Sequence, residues 1–290
     1  MITAAELTKN KSERTAHRSW GLPGTITMKR ILTVIMTILL ITALALTLFA
    51  APDRGKVLVV HGGKDSVGNG DKAIGERLKG LGFGTVDYIY AKDTDESSYK
   101  DYSVVFIGES VSSADVGTKF TKATCFVICG EPGLWDELLI GNYDSAYDTA
   151  PYSGKYIVKN DIVKSGLSKF DGFTKDATPG FLKEWADGVQ IIAENEKGAP
   201  AVTYAAKGAK MFDGSTAVGA RATFFCRGQS AADFSSVSWK MFDALVNYAV
   251  PAPTVKTESV SPSTADPTII LMTLSALTAG GFTLLRRKDR

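Results

Sequence analysis

The segment Lys56–Leu81, KVLVVHGGKDSVGNGDKAIGERLKGL, narrows the choice of fold more than any other stretch of the chain. Val57, Leu58, Val59 and Val60 form a continuous apolar run. That pattern suits a strand covered on both faces, as in parallel sheets. Gly62, Gly63, Gly68 and Gly70 allow a tight or unusual loop. Asp71 is placed to cap a following helix. Ile74, Leu78 and Leu81 recur at near-helical spacing and give that helix a buried stripe, and Gly80 and Gly82 end it. A strand, a glycine-rich turn and an amphipathic helix in this order open a doubly wound α/β domain.

The chain beyond continues the pattern. Thr85–Tyr90 reads as a second strand and Ser103–Ile107 as a third, with Glu109 just past its end. Ala123–Cys129 reads as a fourth, followed at once by Gly130-Glu131-Pro132-Gly133 and a helix over Leu134–Ile140. Residues 141–188 are less regular, with a short strand near Tyr156–Val158. Val189–Ala193 and Ala201–Ala205 fit a hairpin around Glu194–Pro200. Met211–Thr216 holds a turn at Asp213-Gly214, and Ala222–Cys226 is a further strand. Ser236–Tyr248 closes the domain as an amphipathic helix with Trp239, Phe242, Leu245 and Tyr248 expected on one face. Short links between alternating strands and helices imply an α/β sheet, mostly parallel, with right-handed crossovers and helices on both faces. The domain spans residues 55–250.

Both ends carry apolar segments. Ile31–Ala50 has no charge, follows Met28-Lys29-Arg30 and leads to Ala50-Ala51. At ~1.5 Å per residue it can cross about 30 Å of hydrocarbon. Residues 28–51 therefore read as a secretory signal peptide or an uncleaved N-terminal anchor. Residues 1–27 form a polar leader, and Met28 is a candidate start. Thr268–Leu285 is a second membrane segment, closed by the basic tail at residues 286–290, which the positive-inside rule leaves in the cytoplasm. The domain is then extracytoplasmic by two separate signals, anchored to the cell membrane or the cell wall. Residues 251–267 form a Pro/Ser/Thr-rich spacer without core-forming residues. Within it, Ser261–Asp266 (SPSTAD) resembles the sortase sorting signal LPxTG, departing from it at Ser261 and Ala265.

The chain has 290 residues and a net charge of +2, with part of the surplus in the two termini. No nucleic-acid partner is implied. Cys125, Cys129 and Cys226 form no CxxC pair, which excludes a zinc ribbon or a dense disulfide framework. In a strand Cys125 and Cys129 share a face but lie about 13 Å apart, too far to bridge each other. They read as small buried hydrophobes, and either could pair with Cys226. With His61 the single histidine of the domain, neither a metal site nor a cofactor is expected. The loop GGKDSVGNGD lacks the order of a nucleotide-binding P-loop and of a dinucleotide fingerprint.

The opening VLVVHGG, the strand DYSVVFIGESV, the segment IVKSGL, and GARATFFCRG followed by WKMFDALVNYAV resemble the class I glutamine amidotransferase-like superfamily, in its trehalose-utilisation-type branch. The resemblance covers about 190 residues and implies a flavodoxin-like sheet. Catalytic members of that superfamily place a cysteine on a sharp turn, activated by a histidine that a carboxylate orients. Here the turn reads Cys129-Gly130-Glu131-Pro132-Gly133, and Gly228-Gln229 stands where those members have Gly-His. A Cys-His-Glu amidase is therefore not expected.

Doubly wound sheets bind ligands beyond the carboxyl ends of their strands. That rule gathers His61, Lys64, Glu109, Glu131, Trp135, Arg227 and Gln229 into one rim suited to a carbohydrate. Glu109 and Glu131 are equally suited to capping helices, and His61 to ending its strand with a backbone hydrogen bond. Two functions follow as expectations. One is non-catalytic binding of a carbohydrate, a cell-wall component or a protein. The other is a hydrolase or amidotransferase-like enzyme using His61, Glu131 and Cys129.

Overall fold

The computed structural model describes residues 32–33, 35–38, 53–144, 155–175, 177–225 and 230–253. The chain divides into two compact units, Met1–Ala51 and Pro52–Arg290. In the first, residues 32–33 and 35–38 are helical and exposed, and the Thr37 hydroxyl donates to the Thr33 carbonyl at 2.8 Å. Among the described residues no helix is long and apolar enough to cross a membrane. Thr268–Leu285, the basic tail, SPSTAD, the leader and most of Ile31–Ala50 lie outside the described residues.

The second unit is built on a nine-stranded sheet ordered β2-β1-β3-β4-β11-β10-β9-β6-β7. Its strands are β1 (Lys56–His61), β2 (Thr85–Tyr90), β3 (Val104–Ile107), β4 (Phe126–Cys129), β6 (Lys155–Val158), β7 (Lys169–Asp171), β9 (Gln190–Asn195), β10 (Pro200–Ala205) and β11 (Arg221–Thr223). A separate antiparallel pair joins β5 (Gly141–Tyr143) to β8 (Leu182–Trp185). The five strands β2-β1-β3-β4-β11 are parallel throughout and follow the flavodoxin-like order. From β11 outward every pairing is antiparallel. The tight β9–β10 turn explains the change, because parallel strands need a long crossover. In that turn Gly198 adopts φ +83°, and the Asn195 side-chain oxygen accepts from the Lys197 and Ala199 amides at 2.9 Å each.

Helices lie on both faces, as expected, but very unequally. The two long helices, α1 (Asn69–Gly80) and α3 (Ser236–Ala249), pack into one core with Val57, Val59, Val104 and Phe106. The opposite face, with Leu58, Val60, Val105, Ile107 and Val127, is covered by the single turn α2 (Ser113–Val116), by 3-10 turns and by Trp135, Leu138 and Met211. The helix expected over Leu134–Ile140 does not form. A 3-10 turn at Pro132–Leu134 gives way to turns in which Leu139 takes φ +61° and Ile140 N donates to Trp135 O at 2.9 Å. The chain must stop turning there, because Gly141 enters β5 against backbone so close that a Cβ would lie 2.1 Å from Glu184 O.

The expected stripe of α3 is also displaced. Ser238, Met241, Phe242, Leu245 and Val246 are its buried residues, while Tyr248 is 44% exposed. At about 100° per residue, Trp239 and Tyr248 lie on opposite sides of a helix. The run of threes therefore drifts off the core, and spacings of three and four take its place.

Candidate functional site

The carboxyl ends of β1 and β3 meet the start of α1. The chain order reverses between these two strands, which makes the place a topological switch point. The backbone approaches closely here because two glycines permit it. A Cβ on Gly62 would lie 1.9 Å from Ser110 O, and one on Gly108 would lie 2.0 Å from the Asp71 Oδ1. Asp71 does not cap α1 as expected. Gly68 is the N-cap, and Asp71 sits inside the first turn, 1% exposed, directed at the end of β3. Its Oδ2 accepts from the Ser110 hydroxyl at 2.7 Å, and Ser110 Oγ accepts from the Gly62 amide at 2.9 Å. One chain of hydrogen bonds thus ties both strand ends to the helix.

Among the described residues the opposite oxygen, Asp71 Oδ1, is buried without a hydrogen-bond partner. So are both carboxylate oxygens of Glu109, 6% exposed, and Nδ1 of His61, also 6% exposed. Burial pushes the Glu109 pKa up to about 7, from an ordinary 4.5, and the charges on Asp71 and Glu131 push in the same direction. The backbone N–H groups of Glu109 and Ala231 draw it partway back without making hydrogen bonds of good geometry. Burial also raises the Asp71 pKa, which Ser110 and His61 oppose. An unpaired polar group in such a place costs about 1–3 kcal/mol, and a charge costs more. The ring of His61 lies 6.5 Å from those of Tyr88 and Tyr90.

The structure therefore brings His61 and Glu109 together and adds Asp71 and Ser110, which sequence reasoning did not place in the site. Lys64 is exposed in the loop after β1. Glu131 caps the 3-10 turn, its Oε1 accepting from Gly133 N at 3.0 Å. Trp135 must be removed from the rim. It is fully buried in the core, and its indole N–H donates to Cys129 O at 3.2 Å. Arg227, Gln229 and Cys226 lie outside the described residues. Among the described residues no three His, Cys, Asp or Glu side chains are arranged to hold a metal ion.

Cys129 is unsuited to nucleophilic work. It is 0% exposed at the end of β4, its thiol donates to Glu131 O at 3.3 Å, and burial raises its pKa well above the usual thiol range. The thiolate is the nucleophile, so this environment suppresses reactivity. The backbone at Cys129 has none of the positive φ that marks a strained turn. Cys125 and Cys129 are both free thiols.

The amino end of the same strands looks different. Arg221, at the start of β11, is 1% exposed, and burial lowers its pKa to about 10. Its guanidinium donates to the carbonyls of Ala123 (2.8 Å), Thr121 (2.9 Å), Ala220 (3.0 Å), Phe120 (3.4 Å) and Cys125 (3.5 Å). Near this edge a cleft of about 360 Å³ is lined by Trp185, Asp187, Lys210, Phe212 and Asp213. Lys210 and Asp187 pair at 2.9 Å, and Asp213 accepts from Ser215 N at 2.8 Å. The charged groups of this cleft are already engaged.

Fold and site together define an α/β protein of flavodoxin-like strand order with a buried acidic cluster at its switch point. No protein-family model and no curated protein matches the chain. Solved structures similar to it include a protein from Thermoplasma acidophilum named for a GMP synthase, 12% identical over 67% of this chain and 94% of that one, TM-score 0.45. A ThuA-like protein from Bacteroides uniformis is 12% identical over 69% and 92%, TM-score 0.44. A glutamine amidotransferase from Thermotoga maritima is 11% identical over 76% and 90%, TM-score 0.38. Likenesses this distant carry no argument about family, activity or site.

Proposed function

We propose that the domain is a non-catalytic binding module, extracytoplasmic and anchored at the cell membrane or wall, that takes a small polar ligand at the carboxyl ends of β1 and β3. The ligand class is a carbohydrate or other cell-wall component. One observation carries this reading: Glu109 is held buried at the switch point with neither carboxylate oxygen hydrogen-bonded among the described residues. Buried acceptors without partners are rare in folded proteins and ask for an explanation, and a ligand rich in N–H or O–H donors supplies one. The hydrolase alternative draws no support from Cys129, which is buried with a raised pKa, or from Glu131, which caps its own turn.

The test is titration calorimetry of the full chain in detergent micelles with soluble cell-wall oligosaccharides. Saturable binding that falls at least ten-fold in Glu109→Leu is the expected result. Binding unchanged by that substitution would place the ligand elsewhere and overturn the reading.

A further inference from the structure

The cleft near the Arg221 end of the sheet lies where the fold leaves two aromatic rings at the surface. Trp185 and Phe212 are 40% and 42% exposed, and both line the same space of about 360 Å³. Single exposed apolar side chains are ordinary, but two large rings at one concavity mark a place kept for contact. One short segment holds both. Leu139 takes φ +61°, a left-handed conformation that leucine rarely adopts, and its carbonyl accepts from Phe212 N at 2.9 Å. Two residues on, Gly141 pairs with Trp185 at the end of β8, and a Cβ on Gly141 would lie 2.7 Å from Trp185 Cα. The turn that carries Phe212 is closed by Met211 N donating to Ser215 O at 2.8 Å and Gly214 N donating to Met211 O at 2.9 Å. The backbone beneath both rings is set before any ligand arrives, which lowers the entropy cost of binding.

The polar groups of the cleft decide the kind of ligand. Lys210 Nζ donates to Asp187 Oδ2, and Asp213 Oδ1 accepts from Ser215 N. Among the described residues each carboxylate is thus engaged through one oxygen, and its second oxygen is still an acceptor. The Lys210 ammonium has further N–H donors beyond the one given to Asp187. An anion in this space would face two carboxylates, and a cation would share it with Lys210. A neutral polyol meets neither conflict, because each hydroxyl both donates and accepts. Aromatic faces are partly negative, and the C–H face of a pyranose ring is flat and partly positive. From these features the geometry points to a stacking site for a neutral pyranose unit of an oligosaccharide at Trp185 and Phe212. The volume falls within the range of about 300–1,000 Å³ usual for small-molecule sites. The cleft shares no residue with the Glu109 cluster, so the inference goes beyond the reading above and does not rest on it.

The test is calorimetric titration of the full chain, in a detergent without a sugar headgroup, with three neutral probes: cellohexaose, maltohexaose and N-acetylchitohexaose. At least one should bind saturably, and Trp185→Ala and Phe212→Ala should each weaken that binding about ten-fold or more. Both rings are at the surface, so the urea midpoints of the two variants should stay close to that of the wild type. If Trp185→Ala fails to fold, Trp185→Leu takes its place, since it keeps apolar bulk and loses the flat aromatic face. Binding that is unchanged in either aromatic variant overturns the two-ring site. Failure of all three probes to bind overturns it as well, and a wild-type dimer that becomes a monomer in Trp185→Ala would then assign the cleft to a second copy of the chain. Glu109→Leu separates the two sites. Probe binding that survives Glu109→Leu and is lost in the aromatic variants supports the cleft and leaves the switch-point reading without support. Probe binding lost in Glu109→Leu and kept in the aromatic variants supports the switch-point reading and overturns the cleft.

Discussion

Arg221 and Glu109 are buried ionisable groups at opposite ends of the same parallel strands, and the fold treats them in opposite ways. Arg221 donates to five backbone carbonyls through its two terminal nitrogens. Among the described residues Glu109 makes no hydrogen bond with either oxygen, and the charges on Asp71 and Glu131 disfavour its ionised form. A buried charge with its hydrogen bonds made is a structural fastener. A buried acid left without them is the feature on which the binding proposal rests. That difference separates an end of the sheet whose buried ionisable group is satisfied within the fold from the end where the proposed ligand would bind.

The largest expected effect lies on the fastener side. Arg221→Ala leaves the carbonyls of Phe120, Thr121 and Ala123 facing a void. It should destabilise the domain by about 3–5 kcal/mol, read by urea unfolding. A loss below about 1 kcal/mol would show that Arg221 is no more engaged than Glu109, and the contrast would collapse. A smaller effect is expected where the glycine backbone lets the strand ends meet. In Gly62→Ala the new methyl group would stand 1.9 Å from Ser110 O, a backbone atom that cannot swing away. We expect a loss of about 2–3 kcal/mol, together with loss of ligand binding as Ser110 is pushed off Asp71. A variant that keeps wild-type stability would mean that the two strand ends are not locked together.

What could be read from the chain follows the range of the interactions involved. The apolar run Val57–Val60 and the glycines after it act locally, so β1, its loop and α1 stand where the sequence places them. The β9–β10 hairpin is local in the same way. Leu134–Ile140 has helical spacing, yet its conformation is set by the meeting of Gly141 with Glu184, which no local pattern announces. Trp135 follows Glu131 by four residues and shared its expected place on the rim, but packing turned the indole inward to bond Cys129 O.

The positions of His61, at the end of β1, and of Glu109, just past the end of β3, were legible because the carboxyl-end rule acts on strand ends. Asp71 and Ser110 were missed for a physical reason. They meet across 39 positions of sequence, and an aspartate in the first turn of a helix has a sufficient local explanation. Asp71 lies three residues past the Gly68 N-cap, inside the first turn, and its side chain turns to Ser110 and not to the amides of its own helix.

One measurement tests the central claim most directly: the pH dependence of stability of the full chain and of Glu109→Gln, by urea unfolding. The folded protein holds the Glu109 proton up to about pH 7, against an ordinary value of 4.5. An acid whose pKa is raised by folding contributes stability that is complete below about pH 4.5 and is lost as pH rises through about 7. At about 1.4 kcal/mol per pH unit, the wild-type chain should lose about 3 kcal/mol relative to Glu109→Gln over that window, leaving the variant at least as stable at pH 8. Parallel pH profiles, or a variant clearly less stable at pH 8, would show that the Glu109 carboxylate is held by partners in the fold and is not kept open for a ligand.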